Sequence, residues 1–162
     1  MTRLTLLAAL PIFALAACGN SDNTAVTADG STVTPIVVTD AICRPTANGR
    51  KVTACYLNVL AAADDTLESV ETAAAARASI HESKMESNMM MMHPIEGGVP
   101  MPAGQAVAFT PGGNHIMLND VKTPLAAGDS VALTLTFAKA PDLTITVPVG
   151  QPTAADHSAH EG

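Results

Sequence analysis

From Ser130 to Lys139 the chain alternates with a period of two, and that pattern more than any other limits what it can fold into. Val131, Leu133, Leu135 and Phe137 fall on one side of the segment, and Thr134 and Thr136 on the other. A strand carries its side chains in this way and a helix does not. Leu143 to Val149 repeats the alternation with Leu143, Ile145 and Val147, and Ala140-Pro141-Asp142 supplies the turn between the two segments. In Lys51 to Leu60, Val52, Ala54 and Tyr56 share one face until Asn58 breaks it, and Cys55, Leu57 and Val59 share the other. Both faces of that strand are therefore expected to be at least partly buried. Val33 to Thr39, Ala76 to Ser83, Ala106 to Thr110 and His115 to Asn119 add shorter strands, the last two separated by Pro111-Gly112-Gly113-Asn114. No long stretch has a helical period. Ala61 to Ala76 is Ala-rich, but Asp64-Asp65 and the Val70, Thr72 pattern make it a loop and a strand with at most one helical turn. Eight or nine turn-separated strands predict an all-β domain, a two-sheet antiparallel Greek-key β-sandwich.

The ends are of a different character. Arg3 precedes an apolar run from Leu4 to Ala17, too short to span a bilayer comfortably. The run ends in Leu15-Ala16-Ala17-Cys18, which resembles a bacterial lipobox. By that resemblance residues 1–18 hold a lipoprotein signal peptide with its lipobox cysteine, cleavage falls before Cys18, and Cys18 carries a lipid. The protein would then be periplasmic and membrane-anchored. An ordinary signal peptide with a nearby cysteine is the alternative, and either reading implies export from the reducing cytosol. Residues 19–31 are small, polar and aperiodic, as in a flexible tether. Residues 151–162 form a polar tail carrying His157 and His160. Between them residues 32–150 make one domain of roughly 120 residues, enough for one core.

The formal charge is −7, and one unit more negative once Arg3 leaves with the signal peptide. Phosphate contact needs clustered Lys and Arg, so nucleic acid is excluded as a partner. Trp is absent and aromatic residues make up 2% of the chain, which disfavours recognition by stacking. Cys43 and Cys55 flank Asn48-Gly49, a hairpin turn signal that sets the two cysteines opposite each other. In an oxidising compartment the pair reads as a disulfide. A redox pair or metal thiolates is the alternative, although the spacing is not C-x-x-C and no His lies nearby.

Seven of the eight Met residues lie between Met85 and Met117, together with His93 and His115, and His81 stands just ahead. Thioether and imidazole donors in so short a segment point to a soft metal, copper(I) above all. The best-spaced set is His81, Met92, His115 and Met117, which reads H-x10-M-x22-H-x-M. His115 and Met117 are two apart on a strand and share a face, with Ile116 turned inward. The turn before them is expected to put them near a strand end, accessible from outside. Met92 falls in what reads as a loop before Pro94. The run Met89 to Met92 cannot face one core at either period, which favours a sulfur supply over packing. Met85, Met89 and Met101 read as rim or packing residues, Glu82 as a solvated charge. His157 and His160 are candidates for a loose copper(II) site in the tail, because imidazole suits the divalent ion.

The stretch IHES…MMHP…PGGNHIMLNDVKTPLAAGDSVALTLTF resembles the periplasmic copper chaperones of the PCu(A)C type, whose pattern is H-x10-M-x21-H-x-M. The resemblance spans about Val33 to Val149. It implies a cupredoxin-like (immunoglobulin-like) sandwich binding one copper(I) through His81, Met92, His115 and Met117. It also implies delivery to the copper subunit of a cytochrome oxidase or to another copper chaperone. One residue more than the family spacing separates Met92 from His115, and Gly97-Gly98-Val99-Pro100 is where the extra residue is expected. Met90 or His93 stays open as an alternate ligand. The domain has no Cys near these residues, and blue copper needs a Cys thiolate with two His, so electron transfer is disfavoured. No nucleophile–base set is visible, and the chain reads as a non-enzyme. A copper buffer or resistance protein without a defined recipient, and a metal-free structural lipoprotein module, are the competing functions.

Overall fold

The computed structural model describes residues 35–152, and the signal segment, Cys18, His157 and His160 lie outside them. Ten strands follow in chain order: β1 (Ile36–Cys43), β2 (Val52–Ala61), β3 (Asp65–Glu71), β4 (Ala75–Glu86), β5 (Met89–Pro94), β6 (Val99–Met101), β7 (Ala106–Phe109), β8 (Asn114–Val121), β9 (Ser130–Phe137) and β10 (Leu143–Pro148). Among the described residues there is no helix. One sheet runs β1-β2-β8-β4-β5, with β7 also on β2, and the other runs β10-β9-β3-β6. Every pairing between these strands is antiparallel. The chain passes between the sheets after β2, β3, β5, β6 and β8, so the expected antiparallel two-sheet sandwich is what it forms.

The alternation read from the sequence is the alternation of burial. Val131, Leu133, Leu135 and Phe137 of β9 all point inward. They meet Cys55, Leu57 and Val59 of β2, Ile80 of β4, and Ile116 and Leu118 of β8, in one buried cluster. Each fully buried aliphatic side chain of this kind stabilises the fold by about 1.5–3 kcal/mol relative to exposure. Cys43 and Cys55 are register partners across the β1–β2 hairpin and form a disulfide. The Arg50 amide donates to the Ala47 carbonyl at 2.9 Å, closing the turn around Asn48-Gly49.

Several elements differ from the expectation. The first strand begins at Ile36 and extends to Cys43, with a bulge at Asp40, whose φ of 53° is left-handed. Asp65 does not belong to a loop. It opens β3, is buried, and its carboxylate accepts hydrogen bonds from the amides of Thr66 (2.7 Å), Lys139 (3.0 Å) and Ala140 (2.8 Å). No helical turn forms between Ala61 and Ala76. Strand β6 was not anticipated, because Pro100 and the glycines before it mask a three-residue strand. Its Val99 and Met101 are core residues. The supposed slack at Gly97 to Pro100 is thereby narrowed. A Cβ on Gly98 would lie 2.7 Å from the Leu67 carbonyl oxygen, whereas one on Gly97 would meet nothing within 4 Å.

Two features position the site. First, β7 and β8 both pair with β2, through Leu57–Leu60 and Val52–Cys55 respectively. They are one strand line interrupted by an excursion at Thr110 to Gly113, closed by the Gly113 amide donating to the Thr110 carbonyl at 3.1 Å. Second, the Met run is not a loop. Met89 to Met92 lie on β5, hydrogen-bonded to an extended β4 and joined to it by Ser87 and Asn88. Both turn residues have positive φ (50° and 62°), as a type I′ hairpin turn requires. β5 is an edge strand, exposed along its whole length.

Candidate metal centre

Strand register settles which donor side chains share a face. Across β4 and β8, His81 is paired with His115 and Ser79 with Met117. Across β4 and β5, His81 is paired with Pro94, Ser83 with Met92 and Met85 with Met90. Directly paired residues of antiparallel strands project to the same side. Ile80, Ile116 and Leu118 fill the core side of β4 and β8. His81, Met92, His115 and Met117 therefore stand together on the outer side of the sheet. Met92 is one residue row from His81 in one direction, and Met117 one row in the other.

The same register separates the alternates. Met90 shares the face of Met92, one row further out. His93 pairs with Glu82 and projects to the opposite side, where its Nε2 lies 3.1 Å from the Glu86 carboxylate. Lys84 forms an ion pair with Glu82 on that side, at 2.6 Å. Met101 is buried in β6, and Met85 and Met89 are exposed, so packing describes the first and rim the other two.

The two imidazoles face each other, with ring centroids 5.9 Å apart and planes inclined by 34°. His115 Nδ1 lies 3.0 Å from the Gly113 carbonyl oxygen, to which it donates. That tautomer leaves the Nε2 lone pair unused. Gly113 also accepts the Ser83 amide at 3.1 Å, which fastens the excursion to β4. His81 Nε2 lies 3.0 Å from Ser79 Oγ, and its Nδ1 is buried with no hydrogen-bond partner. Buried polar atoms are normally satisfied, and this nitrogen is an exception on the face that carries Met92, His115 and Met117. Burial, then the neighbouring His115, then Arg77 hold the His81 pKa below 6.5. The ring is neutral near pH 7, and the tautomer that donates Nε2–H to Ser79 Oγ leaves the Nδ1 lone pair free.

His115 differs from expectation in one respect. It is 5% exposed, not an open strand-end ligand, with the Gly113 carbonyl of the excursion and the His81 ring beside it. His81 and Met117 are half-buried and Met92 is 55% exposed. The donors thus grade from covered imidazole to open thioether. Among the described residues no three His, Cys, Asp or Glu side chains converge. Any metal held on this face would rely on sulfur, which suits copper(I) and not a hard cation. The sequence reading missed Ser79, two positions before His81 on the same face of β4, and Gly113, whose backbone carbonyl in the excursion meets His115.

Residues 36–149 match the family model described as LpqE-like, a lipoprotein family. The chain belongs to the LpqE-like family. A relative of this LpqE-like chain in Leifsonia xyli subsp. xyli, Lxx21020, carries a provisional lipoprotein name and is 35% identical over 78 residues. That match spans 48% of the chain and 47% of the relative, so the chain aligns with about half the length of this protein. Two solved structures share the fold at a TM-score of 0.61 and 25% identity: the apo PCuAC domain of PmoF1 and the copper-bound PCuAC domain of PmoF2. They cover 74% and 75% of the chain, and 97% of each domain is matched. Apo-DR1885 of Deinococcus radiodurans, at 20% identity and a TM-score of 0.57, has the same fold over 93% of the chain and 97% of its own length. The LpqE-like chain is thus a PCuAC-type sandwich, as its motif resemblance implied.

Proposed function

We propose that this protein is an exported, lipid-anchored copper(I) carrier. It would hold one ion through His81, Met92, His115 and Met117 and pass it to a copper centre of a respiratory oxidase or to another copper chaperone. The observation that carries the reading is the His81–His115 pair, each ring with an uncommitted lone pair, on the same face as Met92 and Met117. The copper-bound PCuAC domain of PmoF2 supports it by likeness.

All four donors are neutral when they bind, so taking up the ion transfers a single positive charge and releases no proton above the His pKa. Thioethers resist the oxidation that thiolates would suffer outside the cytosol, and the two domain cysteines are already joined in a disulfide. The Gly113 and Ser79 contacts orient the rings before the metal arrives, as outer-shell partners of metal-bound imidazole do. Open Met92 at one margin gives an incoming acceptor ligand a bond to displace first. Lipidation at Cys18 would keep the carrier at a membrane surface, with residues 19–31 as its tether. The tail histidines His157 and His160 are proposed as a loose copper(II) site.

The test is copper(I) competition against a chromophoric chelator, comparing the parent with a His115→Ala, Met117→Ala double variant. One tight equivalent lost in the variant is expected. No tight binding by the parent would overturn the proposal in favour of a metal-free structural module. Copper released only to chelators, and never to an oxidase copper subunit, would make the protein a buffer.

A further inference from the structure

Five of the eight Met residues sit on one hairpin, and none of the five is packed. Met85, Met89, Met90, Met91 and Met92 are between 41% and 65% exposed, whereas the core is filled by Leu, Val, Ile and Phe, with Met101 its one methionine among the described residues. Among the exposed large apolar side chains on the described surface, the others are Val37, Val52 and Leu60, all away from this hairpin. A contact surface for another protein would be expected to mix aromatic and branched residues with Met. This arm offers thioether alone.

The register gives the arm a direction. Met85 and Met90 are directly paired, on the face that carries Met92, Ser83 and His81. Directly paired side chains have Cβ atoms about 4.5–5.5 Å apart, and successive same-face residues of a strand lie about 6.6 Å apart. A Met side chain spans that gap. The sulfurs of Met85, Met90 and Met92 can therefore converge on one ion, and Met92 can also reach the His81 row. The tight turn at Ser87 and Asn88 holds the two strands together at the tip.

We propose that Met85 and Met90 form a second, weaker copper(I) site at the tip of the β4–β5 hairpin, which loads the inner site through Met92. This rests on the copper(I) reading of the inner site. The ion arrives on Met85, Met90 and Met92. Its bonds to Met85 and Met90 then break as bonds to His81, His115 and Met117 form, with Met92 held throughout. Copper stays monovalent, every ligand is neutral, and no electron or proton moves.

The experiment is copper(I) titration and stopped-flow loading of the full chain from a copper(I)–chelator complex, with a Met85→Leu, Met90→Leu double variant beside the parent. Leucine keeps the apolar bulk on an exposed edge, so a protein-docking face would survive the change while the sulfur is removed. The parent is expected to take a tight and a weaker equivalent. The variant should keep the tight one, lose the weaker one, and load at least about tenfold more slowly, since local capture raises effective concentration. With methyl-labelled methionine, the Met85 and Met90 signals should move on the second equivalent and those of Met89 and Met91 should not. One equivalent in both proteins at equal loading rates would overturn the tip site and leave the carrier intact. No tight equivalent in either would overturn the carrier reading and the tip site with it.

Discussion

His81 and His115 are direct partners across the β4–β8 ladder, and their outward faces meet over a core built from the residues between and beside them. Ile80 and Ile116, the paired neighbours, are 5% and 0% exposed. The imidazole pair is therefore placed by the sandwich core, with the Gly113 carbonyl orienting the His115 ring, which favours a site that exists before metal arrives.

Register makes Met92 and its neighbours unequal. Met92→Leu should weaken the tight copper(I) site at least about tenfold, or about 1.4 kcal/mol. Met91→Leu and His93→Ala, on the opposite side of β5, should leave its affinity unchanged. Chelator competition on the three variants checks this, and an equal loss for His93→Ala would reassign the fourth ligand.

Protons should compete for His81 only at acid pH. Its folded pKa lies below 6.5, through burial first, then His115, then Arg77. An unfolded chain takes up this proton near pH 6.5 and the folded chain only lower down. The stability His81 contributes is thus complete above about pH 6.5 and is lost as pH falls through its lowered value. The His81 share of copper(I) affinity, read as the difference between the parent and a His81→Ala variant, should likewise stay flat from about pH 8 to about pH 6.5 and decline below. Competition titrations of both proteins across that range measure it, and a decline of that difference already present between pH 8 and 7 would contradict the lowered pKa.

The buried Asp65 carboxylate fastens β3 to the end of β9. Asp65→Ala would strand the Lys139 and Ala140 amides, and stability should fall by about 3 kcal/mol. Urea denaturation measures this. Copper stoichiometry of the folded fraction should not change, because Asp65 belongs to the other sheet.

Reduction of the Cys43–Cys55 bond should cost about 3 kcal/mol, the magnitude for a short closed loop. A Cys43→Ser, Cys55→Ser variant should lose similar stability and still bind one tight copper(I), since neither sulfur lies on the donor face. Calorimetry of the two forms, followed by copper titration, checks both parts.

Strands that bury one full face announced themselves. β9 and β10 could be drawn from alternation alone, and the hairpin signal at Asn48-Gly49 brought the two cysteines together. β6 could not, because a three-residue strand is shorter than any window in which a period is visible. β5 was hidden for a different reason. Four identical residues carry no alternation, so a strand exposed on both sides reads as a loop. The donor set was legible as spacing, but its common face was not. Whether Met92 or His93 turns toward His81 depends on the pairing of β5 with β4, and pairing is a property of two segments at once. The burial of His115 was likewise invisible, since the excursion beside its ring exists only through the split pairing of β7 and β8 on β2.

A one-residue slip along an edge strand ordinarily turns every side chain to the wrong face. β5 is written so that most of such an error goes unpunished. With methionine at each position from Met89 to Met92, a slip that set Met91 against Ser83 would set Met89 against Met85, and sulfur would still stand at both places. The Ser87-Asn88 turn holds the native alignment, and the repeated methionine lets a transient slip in that one direction keep sulfur on the donor face.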